Sequence, residues 1–130
     1  MPSDDALLAA WEENYKKGLL TLWVLLALHA REAYPFEMAG VVSDLSRGTI
    51  VADPNSLYRA LNRFERMAIV ESSWRASDSG PDRRYYRLTP RGRDLLKTFL
   101  ERNILLFQSP EIARLIQTVV GADRRSKEER

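Results

Sequence analysis

The chain has 130 residues, of which 45% are hydrophobic and 29% charged, and it contains no cysteine. That composition excludes a mostly disordered chain, and the missing thiols exclude thiol catalysis, thiolate zinc sites and thiol-based redox sensing. The net charge of +2 is unevenly spread: residues 1–54 carry four basic and eight acidic groups, whereas residues 55–93 carry nine arginines against Glu65, Glu71, Asp78 and Asp82. A basic middle made of arginine alone suits phosphate and guanine edges, because the guanidinium is a planar fork of donors.

In chain order, Ser3 is placed to cap a first helix, with Asp4 and Asp5 in its first turn. Leu7, Leu8, Trp11 and Tyr15 recur at helical spacing, and Lys16-Lys17-Gly18 closes the helix. The next stretch, from about Leu19 to Arg31, is apolar on nearly every side and is expected to be a buried helix. The run Gly18 to Ala30 is too short to span a membrane. Asp4, Asp5, Glu12 and Glu13 precede it, where a signal peptide would carry positive charge. The expectation is a cytoplasmic protein without a membrane partner. His29, the one histidine, is expected to be packed or capped, and Trp23 to lie in the core.

A third helix is predicted from Pro35 to Leu45, with Phe36, Met38, Ala39, Val42 and Leu45 inward. Ser46-Arg47-Gly48 reads as a turn and Thr49-Ile50-Val51 as a short extended piece. Asp53-Pro54 starts a fourth helix, with an acidic cap and proline in the first turn. Its core stripe is Leu57, Leu61, Phe64 and Ala68; Asn55, Arg59, Asn62 and Arg66 recur on another face, flanked by Ser56 and Arg63. Ile69 to Trp74 is predicted as a strand, Ala76 to Asp82 as a loop, and Arg83 to Leu88 as the return strand. Arg84, Tyr86 and Leu88 fall on one face of that strand, and Arg83, Tyr85 and Arg87 on the other.

Thr89-Pro90 starts a helix with an apolar side formed by Leu95, Leu96, Phe99, Leu100 and Leu106 or Phe107. Ser109-Pro110 marks a break or kink. Ile112, Leu115, Ile116, Val119 and Val120 follow on one stripe, which Gly121 is expected to end, leaving residues 122–130 as a charged tail. No glycine-rich phosphate loop, nucleophile elbow or metal-ligand cluster occurs, so neither an enzyme nor a cofactor is expected.

The order of helices, polar-faced helix and basic hairpin is that of a winged helix-turn-helix, which lays one helix in a major groove about 12 Å wide and a wing along the neighbouring backbone. The fold class expected is mainly α with a small β-wing. The expected parts are an N-terminal helix over residues 1–18, a DNA-binding domain over 19–89 and C-terminal helices over 90–121. The candidate DNA contacts are Asn55, Ser56, Tyr58, Arg59, Asn62, Arg63, Arg83, Arg84 and Tyr85, with the helix reading bases and the wing arginines meeting phosphate or the minor groove.

Two stretches resemble the PadR family of transcriptional regulators. Asn55-Ser56-Leu57-Tyr58-Arg59-Ala60-Leu61-Asn62-Arg63-Phe64-Glu65 resembles its recognition helix, and Gly80-Pro81-Asp82-Arg83-Arg84-Tyr85-Tyr86-Arg87-Leu88-Thr89-Pro90-Arg91-Gly92 its wing and following helix start. The chain departs from the family pattern at Pro35-Phe36, at Phe64 and at Ala68, where glycine is usual. The resemblance implies a homodimeric repressor on an inverted-repeat operator of double-stranded DNA. It also implies dimerisation through helices at both ends, which gives a role to the surplus apolar residues Leu7, Leu8, Trp11, Tyr15, Leu96, Phe99, Leu100, Phe107, Leu115 and Val119. A flat hydrophobic effector between Trp11, Phe99 and Phe107 is the ligand class it implies, although Asn103 stands where some such relatives carry tryptophan. A MarR-type regulator, with similar length and terminal helices, matches the wing less well. A winged helix that binds protein instead of DNA would lack the arginines on both helix and wing.

Overall fold

The computed structural model describes the backbone of residues 1–128 and the side chains of residues 1–121. Its elements are α1 (Asp4–Lys16), α2 (Leu19–Ala30), α3 (Pro35–Leu45), α4 (Pro54–Arg66), β1 (Val70–Ser77), β2 (Gly80–Leu88), α5 (Pro90–Asn103), a 3-10 turn (Leu105–Gln108) and α6 (Pro110–Glu128). The chain forms two compact units, Met1–Leu96 and Lys97–Arg130. No helix among the described residues is long and apolar enough to cross a membrane.

In the first unit, the Ser3 hydroxyl caps α1 by accepting the Ala6 N–H at 3.1 Å. Gly18, at a φ of 82°, turns the chain into α2. The core gathers Leu22, Val24, Leu25 and Leu28 of α2, Met38 and Val42 of α3, and Leu57, Leu61 and Phe64 of α4. Tyr86 and Leu88 of β2 join them. Two expected inward positions on α3 are not inward: Phe36 is 73% exposed and Leu45 is also exposed. The buried line is instead Met38, Val42 and Ser46, at i, i+4 and i+8. Phe36, two residues from Met38, points to the opposite side. Trp23 is half-buried and His29 is exposed in the last turn of α2, so the histidine is not packed.

The Thr49–Val51 stretch forms no strand. Arg47 and Gly48 take positive φ values of 53° and 75°, and the buried Ser46 hydroxyl accepts the Ile50 N–H at 3.0 Å. Ser46 thereby does locally what a strand partner would have done. A one-residue bridge extends the sheet elsewhere: Ala33 pairs with Tyr86, their backbones exchanging bonds of 2.9 and 3.2 Å.

At the other end of α4, Ala68 adopts a φ of 61°. The N–H of Ile69 reaches the Phe64 carbonyl at 3.1 Å and that of Ala68 the Glu65 carbonyl at 3.0 Å, the paired bonds of a Schellman cap. The chain then enters an antiparallel hairpin longer than predicted. It pairs Val70 with Leu88, Ser72 with Tyr86 and Trp74 with Arg84, and it continues to Ser77 opposite Gly80. The expected loop over residues 76–82 is thus a tight turn at Asp78-Ser79. Thr89 joins hairpin to α5: its hydroxyl donates to the Ala68 carbonyl at 2.7 Å and accepts the Gly92 N–H at 3.1 Å.

The helix that starts at Pro90 in the first unit stops at Asn103 in the second, so Leu106 and Phe107 belong to the 3-10 turn and not to its apolar side. The Ser109 hydroxyl bonds the Leu106 carbonyl at 2.8 Å before Pro110 opens α6. Helix α6 continues past Gly121 to Glu128, so the backbone expected to be a tail is helical that far; residues 129 and 130 lie outside the described residues.

Candidate nucleic-acid interface

Helix α4 is the most sharply two-faced element of the first unit. Asp53 caps it, its carboxylate accepting the Ser56 N–H at 3.1 Å, and Leu57, Ala60, Leu61 and Phe64 are buried. Away from the core, Asn55, Tyr58, Arg59, Arg63 and Arg66 are exposed, and Ser56 is half-buried. Arg59 donates to the Ser56 hydroxyl at 3.3 Å, a neutral partner that leaves its charge uncompensated. Arg63 lies over the Phe64 ring at 5.3 Å. Arg59, Arg63 and Arg66 pair with no carboxylate among the described residues.

The hairpin's two faces differ in kind. On the outer face Arg83 sits over Tyr34 at 4.5 Å and Arg75 over Tyr85 at 4.4 Å, while the two tyrosine rings meet edge to face at 5.4 Å. Arg75 also pairs with Glu32, and Arg87 lies 2.7 Å from Glu71 and 4.0 Å from Glu32. Arg83 is thus the hairpin arginine of this face that has aromatic support and no acidic partner among the described residues. Tyr85 is half-buried, with Arg75 over its ring and Tyr34 against it edge to face.

On the inner face, Arg84 turns toward α4. Its Nε donates to the Ser72 hydroxyl at 2.9 Å, its Nη1 to Asn62 Oδ1 at 3.4 Å, and its Nη2 pairs with the Glu65 carboxylate. The Tyr86 hydroxyl donates to the same Asn62 oxygen at 3.2 Å. Burial pushes the Tyr86 phenol up to about 12. For Arg84, burial works against the charge, but Tyr86, Glu65 and Tyr58 outweigh it and raise its pKa.

Of the nine expected contact residues, the structure therefore brings Asn55, Ser56, Tyr58, Arg59 and Arg63 onto or beside one exposed helix face. It holds Arg83 and Tyr85 on the outer hairpin face and draws Asn62 and Arg84 into a hydrogen-bonded cluster between helix and hairpin. Glu65, Ser72 and Trp74 complete that cluster and were not singled out from the sequence. The signal was available, because Arg84 alternates with Tyr86 and Leu88, and a face that buries those two also turns Arg84 inward.

A family model described as the transcriptional regulator PadR-like family matches residues 24–98, more than half of the chain. No curated protein matches the chain. Among solved structures, the chain is similar to a PadR family transcriptional regulator from Eggerthella lenta, with a TM-score of 0.69 and 24% identity over 88% of this chain and 96% of that one. It is similar to a PadR-like transcriptional regulator from Bacillus cereus, with a TM-score of 0.63 and 26% identity over 80% of this chain and 97% of that one. The fold is also that of Bacillus subtilis PadR, solved in complex with operator DNA, with a TM-score of 0.58 and 14% identity over 84% and 71% of the two chains. By the family model and by the helix-and-hairpin arrangement it matches, the chain belongs to the PadR-like family of transcriptional regulators.

Proposed function

We propose that the protein represses transcription as a homodimer that reads an inverted-repeat DNA operator, with α4 in the major groove and the β1–β2 hairpin along the adjacent backbone. The observation that carries this reading is the exposed face of α4, where Asn55, Tyr58, Arg59, Arg63 and Arg66 stand opposite a fully apolar core stripe. Asparagine and arginine are the side chains that pair with adenine and guanine edges. Arg59, Arg63 and Arg66 have no acidic partner among the described residues, so a phosphate or base would be their first strong one. Arg83 is the hairpin residue assigned to phosphate. Asn62 and Arg84 are assigned a supporting role, because the three Arg84 guanidinium nitrogens and the Asn62 side-chain oxygen already have partners. Bacillus subtilis PadR, which shares the fold, was solved with operator DNA, and that supports the same use of the fold here.

The homodimer is supported by apolar surface at both ends. Helix α1 has no buried residue, and Leu7, Leu8, Trp11, Tyr15, Phe99, Phe107, Leu115 and Val119 are exposed. Leu100 is half-buried. Leu96 is buried within its own chain and leaves the set of expected dimer contacts. A shallow groove lined by Leu8, Trp11, Glu12 and Tyr15 is where a flat apolar effector would sit if a second copy roofed it.

Selection of duplexes from a random pool by the full chain tests the DNA reading. The expected product is an inverted repeat with half-sites about one helical turn apart, bound with an affinity that falls steeply with salt. A selected pool without sequence preference, or binding insensitive to salt, would overturn it.

A further inference from the structure

We propose that Glu65 and Arg84 form a clamp that fixes the hairpin against α4, so that Arg84 positions the wing without itself touching DNA. The clamp rests on the DNA-reading role only for one of its two readouts.

Tyr58, Asn62 and Glu65 are spaced i, i+4 and i+7 on α4 and share one side of the helix. Ser72, Arg84 and Tyr86 share the inner face of the hairpin, since Ser72 pairs across with Tyr86 and Arg84 lies two residues away. Arg84 joins the two sides with its whole fork: Nε to Ser72, Nη1 to Asn62 and Nη2 to Glu65. Both Glu65 oxygens are used, one by Arg84 and one by the Ser72 hydroxyl. The Asn62 oxygen takes both Arg84 and Tyr86. The guanidinium also lies 5.4 Å from the Tyr86 ring centre and 5.8 Å from that of Trp74, which extends the contact toward the hairpin tip.

Three properties follow. Arg84, Ser72 and Glu65 close a ring of bonds, so losing either charged member opens it and takes from the other its only ionic partner in the cluster. A lysine cannot replace the arginine, because an ammonium lacks the planar geometry that reaches three partners on two elements. The pair is also shielded, with side chains 23% and 29% exposed, so the net field of Arg84 at a phosphate is largely cancelled by Glu65.

The test uses full-length Arg84→Lys, Arg84→Ala, Glu65→Gln and the double variant Arg84→Ala/Glu65→Gln. In denaturant unfolding without DNA, each single variant is expected to lower stability and the double variant to lose little more than either. The indole N–H resonance of Trp74 is expected to shift alike in Arg84→Lys and Glu65→Gln. On the selected operator, each single variant should lose about tenfold in affinity, and the double variant about the same. Glu65→Gln is the decisive case, since it removes a negative charge from the vicinity of DNA and yet should weaken binding. Binding of Arg84→Lys like the parent, a gain for Glu65→Gln, or a drop of about 0.9 in the salt slope for Arg84→Ala alone would make Arg84 a phosphate contact and overturn the clamp. Additive unfolding effects would overturn it whatever DNA does. A parent protein that binds no duplex would instead overturn the DNA reading, with the unfolding cycle and the Trp74 signal still deciding the clamp.

Discussion

Ala68 holds the one conformation in its neighbourhood that an L-residue resists. Its φ of 61° lets the Schellman bonds close α4, and the left-handed region costs a residue with a Cβ roughly 1–2 kcal/mol. Ala68→Gly relieves that cost while adding freedom to the unfolded chain, so a net gain of about 0.5–1 kcal/mol is expected. A raised melting temperature checks it, and a lower one would contradict the strain. Gly92 is the reverse case: a Cβ there would lie 2.0 Å from the Ile69 carbonyl oxygen. Neither backbone can withdraw without undoing the Thr89 bonds, so Gly92→Ala should cost about 3 kcal/mol in denaturant unfolding. Tyr86 links the core to pH. Its phenol ionises near 12 in the folded protein against 10 for the ordinary group, so both states keep the proton below pH 10. Between pH 10 and 12 the unfolded chain releases it while the folded one retains it, and stability falls as pH rises. Relative to Tyr86→Phe, the protein should therefore lose stability across that window and not below it. A flat difference would place the phenol in water.

Helix α4 shows how far periodicity carries and where it stops. Leu57, Leu61 and Phe64 of the core stripe and the Asp53 cap follow from spacing alone, as does the outward direction of Arg59. Ala68, expected to continue the stripe, lies past the end of α4 and is exposed, because the helix turns into its left-handed cap there. The same spacing predicts Asn62 outward, but it lies on the border between the exposed face and the side turned to the hairpin, and only its partners decide which it joins. Arg84 needed a contact between elements 22 and 19 residues apart in sequence, to Asn62 and Glu65, and single-sequence patterns do not report such distances. Thr49–Val51 failed for a related reason: β-branched residues favour a strand, but a strand requires a partner, and Ala33 took the available edge. The division of α4 predicts different failures. Arg59→Ala and Arg63→Ala should each cost on the order of 1–3 kcal/mol of operator binding with the melting temperature held. Leu57→Ala should cost roughly 2–5 kcal/mol of stability, any loss of binding following from that. Equal effects of Arg59→Ala on operator and scrambled duplex would assign Arg59 to phosphate and leave base reading to Asn55 and Arg63.

Helix α1 is 13 residues long and buries nothing, and an isolated helix of that length is marginal in water. Trp11 at 74% exposure and Tyr15, Leu7 and Leu8 give it an apolar surface without cover. In the other compact unit, Leu115 and Val119 are spaced i and i+4 on α6 and exposed, and Ile116 and Val120 repeat the spacing beside them. Two uncovered stripes at opposite ends of a 130-residue chain exceed what a monomer leaves to water, and a two-fold partner covers each stripe with its own surface. Sedimentation velocity at micromolar concentration should therefore give a dimer. Trp11→Glu and Val119→Glu each place a charge in the proposed interface and should shift the protein toward monomer. Trp11→Glu should in addition lower helical circular dichroism, because α1 frays once its cover is gone, whereas Val119→Glu should leave the α4 core and its melting behaviour in place. A monomer retains one α4, so the variants should lose the advantage of an inverted repeat over a single half-site. A parent protein that sediments as a monomer, or variants that remain dimeric with both stripes charged, would remove this account of the exposed apolar surface.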